Sequence, residues 1–227
     1  MERSDLDLLA GTALFAGFSP EELQSFVDAF PPLQRAYTKG ETILAAGEEN
    51  TRLAIVLAGE VEAIKETRAG RTFVVARQRR GALVGDVLSG GQGKSPVTLR
   101  SVGASRLLFF SYPQMLAAPP RHSALLRRFF ANWVAVLSGK YFALHHRVDL
   151  LLLRGLRQKI AAYLLHKAGA DSEVTLPFTR EGWANYLGCE RSALSRELSR
   201  MAAEGLVALA GRRVTLLRPD ILEACLQ

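Results

Sequence analysis

The sequence predicts an α+β protein in three parts: an antiparallel barrel or jelly roll over residues 1–120, one long helix over 121–154, and a helix-turn-helix with a β-hairpin wing over 155–227. Three observations predict it. Short β-prone runs alternate with glycines in the first half, a heptad seam runs through the middle, and a capped helix, a glycine turn and a second amphipathic helix follow near the end.

The first part opens on a helix start. Ser19 is placed to cap, Pro20 fits the first turn, and Glu22 stands three residues on as a capping box requires, so a short helix is expected to about Ala29. Strand-like runs follow at Thr42–Ala45, Leu53–Leu57, Val61–Glu66, Thr72–Arg77 and Ser105–Ser111, punctuated by Gly40, Gly47, Gly59, Gly70, Gly81, Gly85 and Gly103. Short strands with regular turn signals suit an antiparallel barrel or jelly roll.

In the second part, Phe130, Val134, Leu137, Tyr141, Leu144, Val148 and Leu151 recur at spacings of four and three. This is the a/d seam of a coiled coil held for about three heptads, and it predicts a self-pairing (homodimer) interface. A helix over about 121–153 would be roughly 50 Å long at ~1.5 Å per residue. Arg127, Arg128, Lys140, Arg147 and Arg154 flank the seam as a solvated basic face.

The third part carries the most specific pattern. Thr179 can cap a helix running to about Leu187, Gly188-Cys189 makes a tight turn, and a second helix runs from about Arg191 to Glu204, closed by Gly205. Ala184 supplies the small residue where the two helices cross. At about 100° per residue, Leu194, Leu198 and Met201 fall on one side of the second helix, and Ser192, Ser195, Arg196 and Ser199 on the other with Arg191 at the margin. Small hydroxyl side chains allow close approach to a groove floor, and arginine can donate two bonds to a guanine edge or grip a phosphate. Leu206–Leu209 and Val214–Leu217 then form the wing, with Arg212 and Arg213 at its tip suited to phosphate. The net charge of +7 fits a polyanionic partner. Double-stranded DNA is the expected partner.

Other classes find little support. The two cysteines, Cys189 and Cys225, are too few for a disulfide framework and sit in no metal-ligand cluster. His122, His145, His146 and His166 form no spaced metal set, so no metal site is expected. No secretory signal and no apolar run of about 18 residues is evident, which predicts a soluble, cytoplasmic chain with no membrane partner. GxSxG, P-loop and HExxH motifs are absent from the sequence, and no enzyme activity is expected.

The order of parts resembles the bacterial Crp/Fnr family of the cyclic AMP receptor protein and the fumarate-nitrate regulator. The resemblance covers nearly the whole chain. It rests on the run Leu14 to Leu23, on Lys39-Gly40-Glu41, Gly47-Glu48, Ile55 to Val61, Val84-Gly85-Asp86 and Pro96 to Arg100, and most specifically on Leu187 to Leu198. It implies an N-terminal β-roll of the cyclic-nucleotide-binding type that senses a small-molecule effector, a dimerisation helix, and a winged helix-turn-helix that regulates transcription from a palindromic operator, with RNA polymerase as a further partner. Carried over, the base-reading positions are Arg191, Ser192, Ser195 and Arg196. The named family members have glutamate where this chain has Ser192, so a different operator is expected.

The effector positions depart further. Gly85-Asp86 stands where cyclic-nucleotide sensors carry a Gly-Glu pair for the ribose. Their Arg-Ser pair for the cyclic phosphate aligns with Ser95-Pro96, or with Lys94-Ser95 if one residue is inserted. Lysine only partly replaces the bidentate arginine. Leu144-His145 replaces two hydroxyls that meet the adenine. These changes argue against cyclic AMP. The lack of any cysteine before Cys189 argues against the iron–sulfur cluster of the fumarate-nitrate regulator, and the histidines offer no haem ligand set, so no cofactor is expected and the effector is unnamed. The competing reading is a cyclic-nucleotide-binding module acting on a protein partner. It leaves the capped Thr179–Gly205 unit without a purpose.

Overall fold

The computed structural model describes residues 2–66, 72–85, 94–168 and 171–226, and divides into two compact units, residues 1–138 and 139–227. The fold is α+β, and the division falls inside the long helix.

The first unit begins with α1 (Arg3–Ala10) and α2 (Pro20–Ala29). Ser19 caps α2 through the amide of Glu22, and Glu22 returns the bond to the Ser19 amide at 2.9 Å, the capping box expected from the sequence. Eight strands follow: β1 (Leu33–Tyr37), β2 (Thr42–Leu44), β3 (Arg52–Ala58), β4 (Glu60–Glu66), β5 (Thr72–Arg79), β6 (Leu83–Val84), β7 (Thr98–Ser101) and β8 (Ser105–Ser111). They form two four-stranded antiparallel sheets, ordered β1-β8-β3-β6 and β2-β7-β4-β5. A short helix, α3 (Tyr112–Leu116), leads to α4 (Ser123–Leu152).

β3 shows how the layers stack. Leu53 to Leu57 are buried without alternation, which requires cover on both faces of the strand. Ala54 and Val56 meet Tyr37, Val61, Leu99 and Leu107 between the sheets. Leu53, Ile55 and Leu57 face the other way, onto Phe15, Phe26, Phe129 and Trp133 of the helical layer. The first half of α4 is fixed there by polar ties as well. Arg128 bonds Glu22 and donates to the Gly17 carbonyl at 2.8 Å, and Asn132 Nδ2 donates to the carbonyls of Leu14 and Ala16 at 3.0 and 2.9 Å.

The second unit holds the last turns of α4, then α5 (Leu156–Ala168), β9 (Glu173–Thr175), α6 (Arg180–Leu187), α7 (Arg191–Ala203), β10 (Val207–Ala210), β11 (Arg213–Leu216) and α8 (Pro219–Ala224). The sheet order is β10-β11-β9, all antiparallel. Its core gathers Tyr163, Leu164, Trp183, Leu187, Leu194 and Leu198, with Leu150 of α4 buried among them. Burying each such leucine contributes about 1.5–3 kcal/mol. Arg147 lies over the Tyr186 ring at 4.9 Å, and the His146 and His166 rings stack with centroids 3.7 Å apart, so α4 ends firmly docked on this unit.

Several elements lie outside the sequence expectations: α1, α3, α8, β1, β6, β7 and β9. α1 is held by Asp5, whose carboxylate accepts from Arg106 at 2.8 Å on a strand far along the chain. β9 occupies the end of the polar Lys167–Glu173 stretch and pairs with β11, so the wing has three strands. Among the described residues, no helix is long and apolar enough to cross a membrane.

Candidate nucleic-acid interface

The second unit builds its outer face from local rules. Thr179 accepts from the Gly182 amide at 3.1 Å and starts α6. α6 ends at Gly188 with φ 66°, where the Cys189 amide donates to the Ala184 carbonyl at 3.0 Å and the Gly188 amide to Asn185 at 3.3 Å. α7 closes in the same way: Gly205 has φ 71°, and the Leu206 amide donates to Met201 at 2.9 Å. Both are Schellman closures, which need a left-handed residue that glycine adopts without strain. At Gly188 the approach is also close, since a Cβ there would lie 3.0 Å from Leu151 Cδ2.

α7 divides as its sequence predicts. Leu194, Leu198 and Met201 are buried. Arg191, Ser192, Arg196 and Ser199 are exposed and Ser195 is half-buried. Glu190 precedes α7 without a side-chain cap, leaving the first amides of the helix, and its positive dipole end, beside Arg191. Arg212 is exposed in the two-residue loop between β10 and β11, and Arg213 begins β11 with Glu173 at 3.9 Å.

Sequence reasoning missed two residues of this unit, Arg180 and Arg157. Arg180 opens α6, and its Nη1 is buried with no hydrogen-bond partner among the described residues, while burial lowers the guanidinium pKa. Arg157 of α5 binds Glu204, the residue just after α7, and Glu197 within it, and its hydrogen bonds to these two carboxylates raise its pKa. Glu204 is lowered in turn by Arg157. Leu198, which the helical spacing places on the inner side, is 1% exposed. What compensates Glu197 is Arg157. The readable signal was the seven-residue spacing of Glu197 and Glu204, which puts both on one flank of a helix. Cys189 lies half-buried in the turn, and burial pushes its thiol pKa up, which suits an inert packing role.

Along α4, Val134, Tyr141 and Leu144 are 60%, 61% and 57% exposed, and Val148 and Leu151 are exposed too. Phe130 and Leu137 are half-buried against the aromatic core of the first unit. Five of the seven seam residues thus have apolar surface bare to solvent in the single chain.

A cavity of about 250 Å³ in the first unit is lined from both sheets by Arg35, Tyr37, Leu44, Asn50, Gly85 and Phe109 among others. Gly85 is there with φ 63°, and its carbonyl accepts from Asn50 Nδ2 at 2.6 Å. Ser95 is buried with its hydroxyl donated to the Val97 carbonyl at 2.7 Å, and Lys94 is exposed. Asp86 lies outside the described residues. Leu144 and His145 belong to the second unit, where both are exposed and the His145 ring stacks on Tyr141. Among the described residues, no group of three or more His, Cys, Asp or Glu could hold a metal ion.

Comparisons with known proteins cover both units. Residues 34–119 match the cyclic nucleotide-binding domain family, and residues 158–225 match the Crp-like helix-turn-helix domain family. The chain is 28% identical over 195 residues to the nitrogen fixation regulation protein FixK of Bradyrhizobium diazoefficiens, covering 83% of this chain and 79% of that one. It is 25% identical over 215 residues to the cyclic AMP receptor protein of Thermus thermophilus, covering 95% and 97% of the two chains. Its fold is similar to that of a CooA mutant from Carboxydothermus hydrogenoformans, with a TM-score of 0.68 at 15% identity over 100% of this chain and 98% of that one.

Proposed function

The chain belongs to the Crp/Fnr family of DNA-binding transcription regulators, and from that premise we propose that it acts as a cytoplasmic homodimer reading a palindromic operator with α7. The observation that carries this reading is the exposed face of Arg191, Ser192, Arg196 and Ser199 backed by buried Leu194, Leu198 and Met201. Arg191, Ser192, Ser195 and Arg196 meet base edges. Thr179, Arg180, Ser199, Arg212 and Arg213 serve the phosphates. Ser192 is short and both donates and accepts, so the operator differs from those read by glutamate at that place.

Two-fold pairing follows the exposed α4 seam. A continuous apolar stripe at heptad spacing is costly to leave in water, and a second copy covers it with the same residues. The first unit receives a small-molecule effector, which biases DNA binding only by fitting one arrangement of the dimer better than another. Support for a ligand other than cyclic AMP comes from Ser95, whose hydroxyl is engaged by Val97, and from the lack of arginine at the place of the Arg-Ser pair, where Ser95-Pro96 or Lys94-Ser95 stands. The protein acts by binding, without an iron–sulfur cluster or haem, and RNA polymerase is its partner at promoters.

Footprinting on a site selected from random DNA tests the reading. Dyad-symmetric protection with half-sites about 34–36 Å apart is expected; protection without a dyad would remove the dimeric reader. Arg196→Ala should weaken binding to that site by about 1–3 kcal/mol. An unchanged base preference would take Arg196 out of the reading set. Calorimetry with cyclic AMP beside the same DNA assay separates this reading from a nucleotide-binding module that serves a protein.

A further inference from the structure

Two carboxylates, Glu197 of α7 and Glu204 at its C-terminal cap, lie away from the exposed face of Arg191, Ser192 and Arg196 and meet a single guanidinium. Arg157, in the first turn of α5, donates from Nε to Glu197 at 2.6 Å. Its Nη1 and Nη2 donate in parallel to the two oxygens of Glu204 at 2.7 and 2.8 Å. Glu197 also accepts from Arg200 Nη1 at 3.2 Å. The two carboxylates are seven residues apart, about two helical turns or ~10 Å along the axis. A planar fork that grips a helix at two points fixes its rotation about its own axis as well as its tilt; an ammonium offers no such planar grip.

We infer that Arg157 is a positioning residue for DNA reading, setting the rotation of α7 so that Arg191, Ser192 and Arg196 point into the groove. The inference rests on the reading of α7 as the recognition helix. The buried leucines hold α7 to the core, but apolar packing is tolerant of small rotations in a way that paired charged bonds are not. At a side-chain radius of ~5–6 Å, a rotation of about 20° carries a tip by about 2 Å, enough to break a bidentate base contact. The same rotation leaves phosphate attraction nearly intact, because that attraction depends little on exact geometry. Loss of the clamp therefore lowers discrimination between sequences more than it lowers affinity for DNA as such.

The test uses the full-length protein, a duplex carrying a site that the unaltered protein selects from random sequence, and a scrambled duplex of equal length. Arg157→Met and Arg157→Lys are compared with the triple variant Arg157→Met, Glu197→Gln, Glu204→Gln, which removes the carboxylates that would otherwise repel phosphate. The expected result is a loss of about tenfold on the selected site in all three, with scrambled-duplex affinity of the triple variant within about twofold of the original. Thermal unfolding is followed in parallel. Equal losses on both duplexes, or a drop in melting temperature that accounts for the loss, would make Arg157 merely structural and overturn the inference. So would discrimination that survives all three substitutions. If the unaltered protein enriches no sequence, the recognition-helix reading itself falls and takes the clamp's role with it.

Discussion

The two units place their working surfaces in opposite ways. In the second unit the proposed reading face is outside, on one helix, backed by the buried Leu194, Leu198 and Met201. In the first unit the cavity is inside, and its walls come from residues as distant in sequence as Arg35, Asn50, Gly85, Leu99 and Phe109. A surface on one helix depends on local rules of capping, periodicity and turn chemistry. A cavity between two sheets depends on long-range pairing, such as β1 with β8 and β2 with β7. Chemistry on the outer face can change one side chain at a time, whereas chemistry in the cavity is tied to the packing of both sheets.

The contrast can be broken at the helix the units share. Tyr141→Glu with Leu144→Glu alters exposed positions and touches neither core, so both units should unfold as before while sedimentation reports a monomer. Losing the second half-site contact should then cost about 100-fold or more in affinity for the selected DNA. A dimer that persists would move the pairing surface off the α4 seam.

The two units can also be set against each other through one residue type. Gly59 has φ 82°, and a Cβ there would lie 2.4 Å from the Ala104 carbonyl oxygen, which is backbone and cannot yield. Gly188 meets only the end of the Leu151 side chain. Gly59→Ala should destabilise the first unit by about 3 kcal/mol, and Gly188→Ala the second by about 1–2 kcal/mol, in denaturant titrations. Equal costs would mean that the sandwich accommodates strain as readily as the helical unit.

A smaller effect concerns pH. Burial lowers the pKa of His146, the nearby His166 lowers it further, Asp149 opposes them, and Lys167 adds a weak push downward. The folded value thus lies below the unfolded one of about 6.5. The contribution to stability is complete above that pH and is lost as pH falls through the folded value. The melting temperature of the second unit should drop between pH 7 and pH 5, and His146→Phe should flatten that drop. The first unit, which does not contain His146, should not follow it. A drop of equal size in the His146→Phe protein would assign the pH dependence to other groups.

The helix-turn-helix and the two wing strands of the second unit were legible in the sequence almost to the residue. Thr179, Gly188 and Gly205 act where their chemistry requires, and α7 runs from Arg191 as expected. The long helix was legible as well, ending within two residues of each expected bound. What escaped was set at a distance. β9 is three residues whose strand form comes from pairing with β11, and β6 is two residues paired to β3. α1 depends on Asp5 meeting Arg106. Arg157 gave no local sign of its role, because its partners stand forty and forty-seven positions later. Of the positions that the family pattern assigns to an effector, Gly85 lines the cavity, while Ser95 turns its hydroxyl into its own loop.

If the wing meets phosphate as proposed, β9 has a consequence for how the protein leaves DNA. A hairpin of two strands is marginally stable in water and would gain order only on meeting its target. Here Glu173 to Thr175 brace β11 from its other side, with Val174 buried, so the loop carrying Arg212 keeps its shape in the free protein. The entropy of ordering is lost during folding and not at binding. A wing stiffened in this way prolongs residence on the site more than it quickens arrival, and loosening it would shorten the lifetime of the complex while encounter rates stayed much the same.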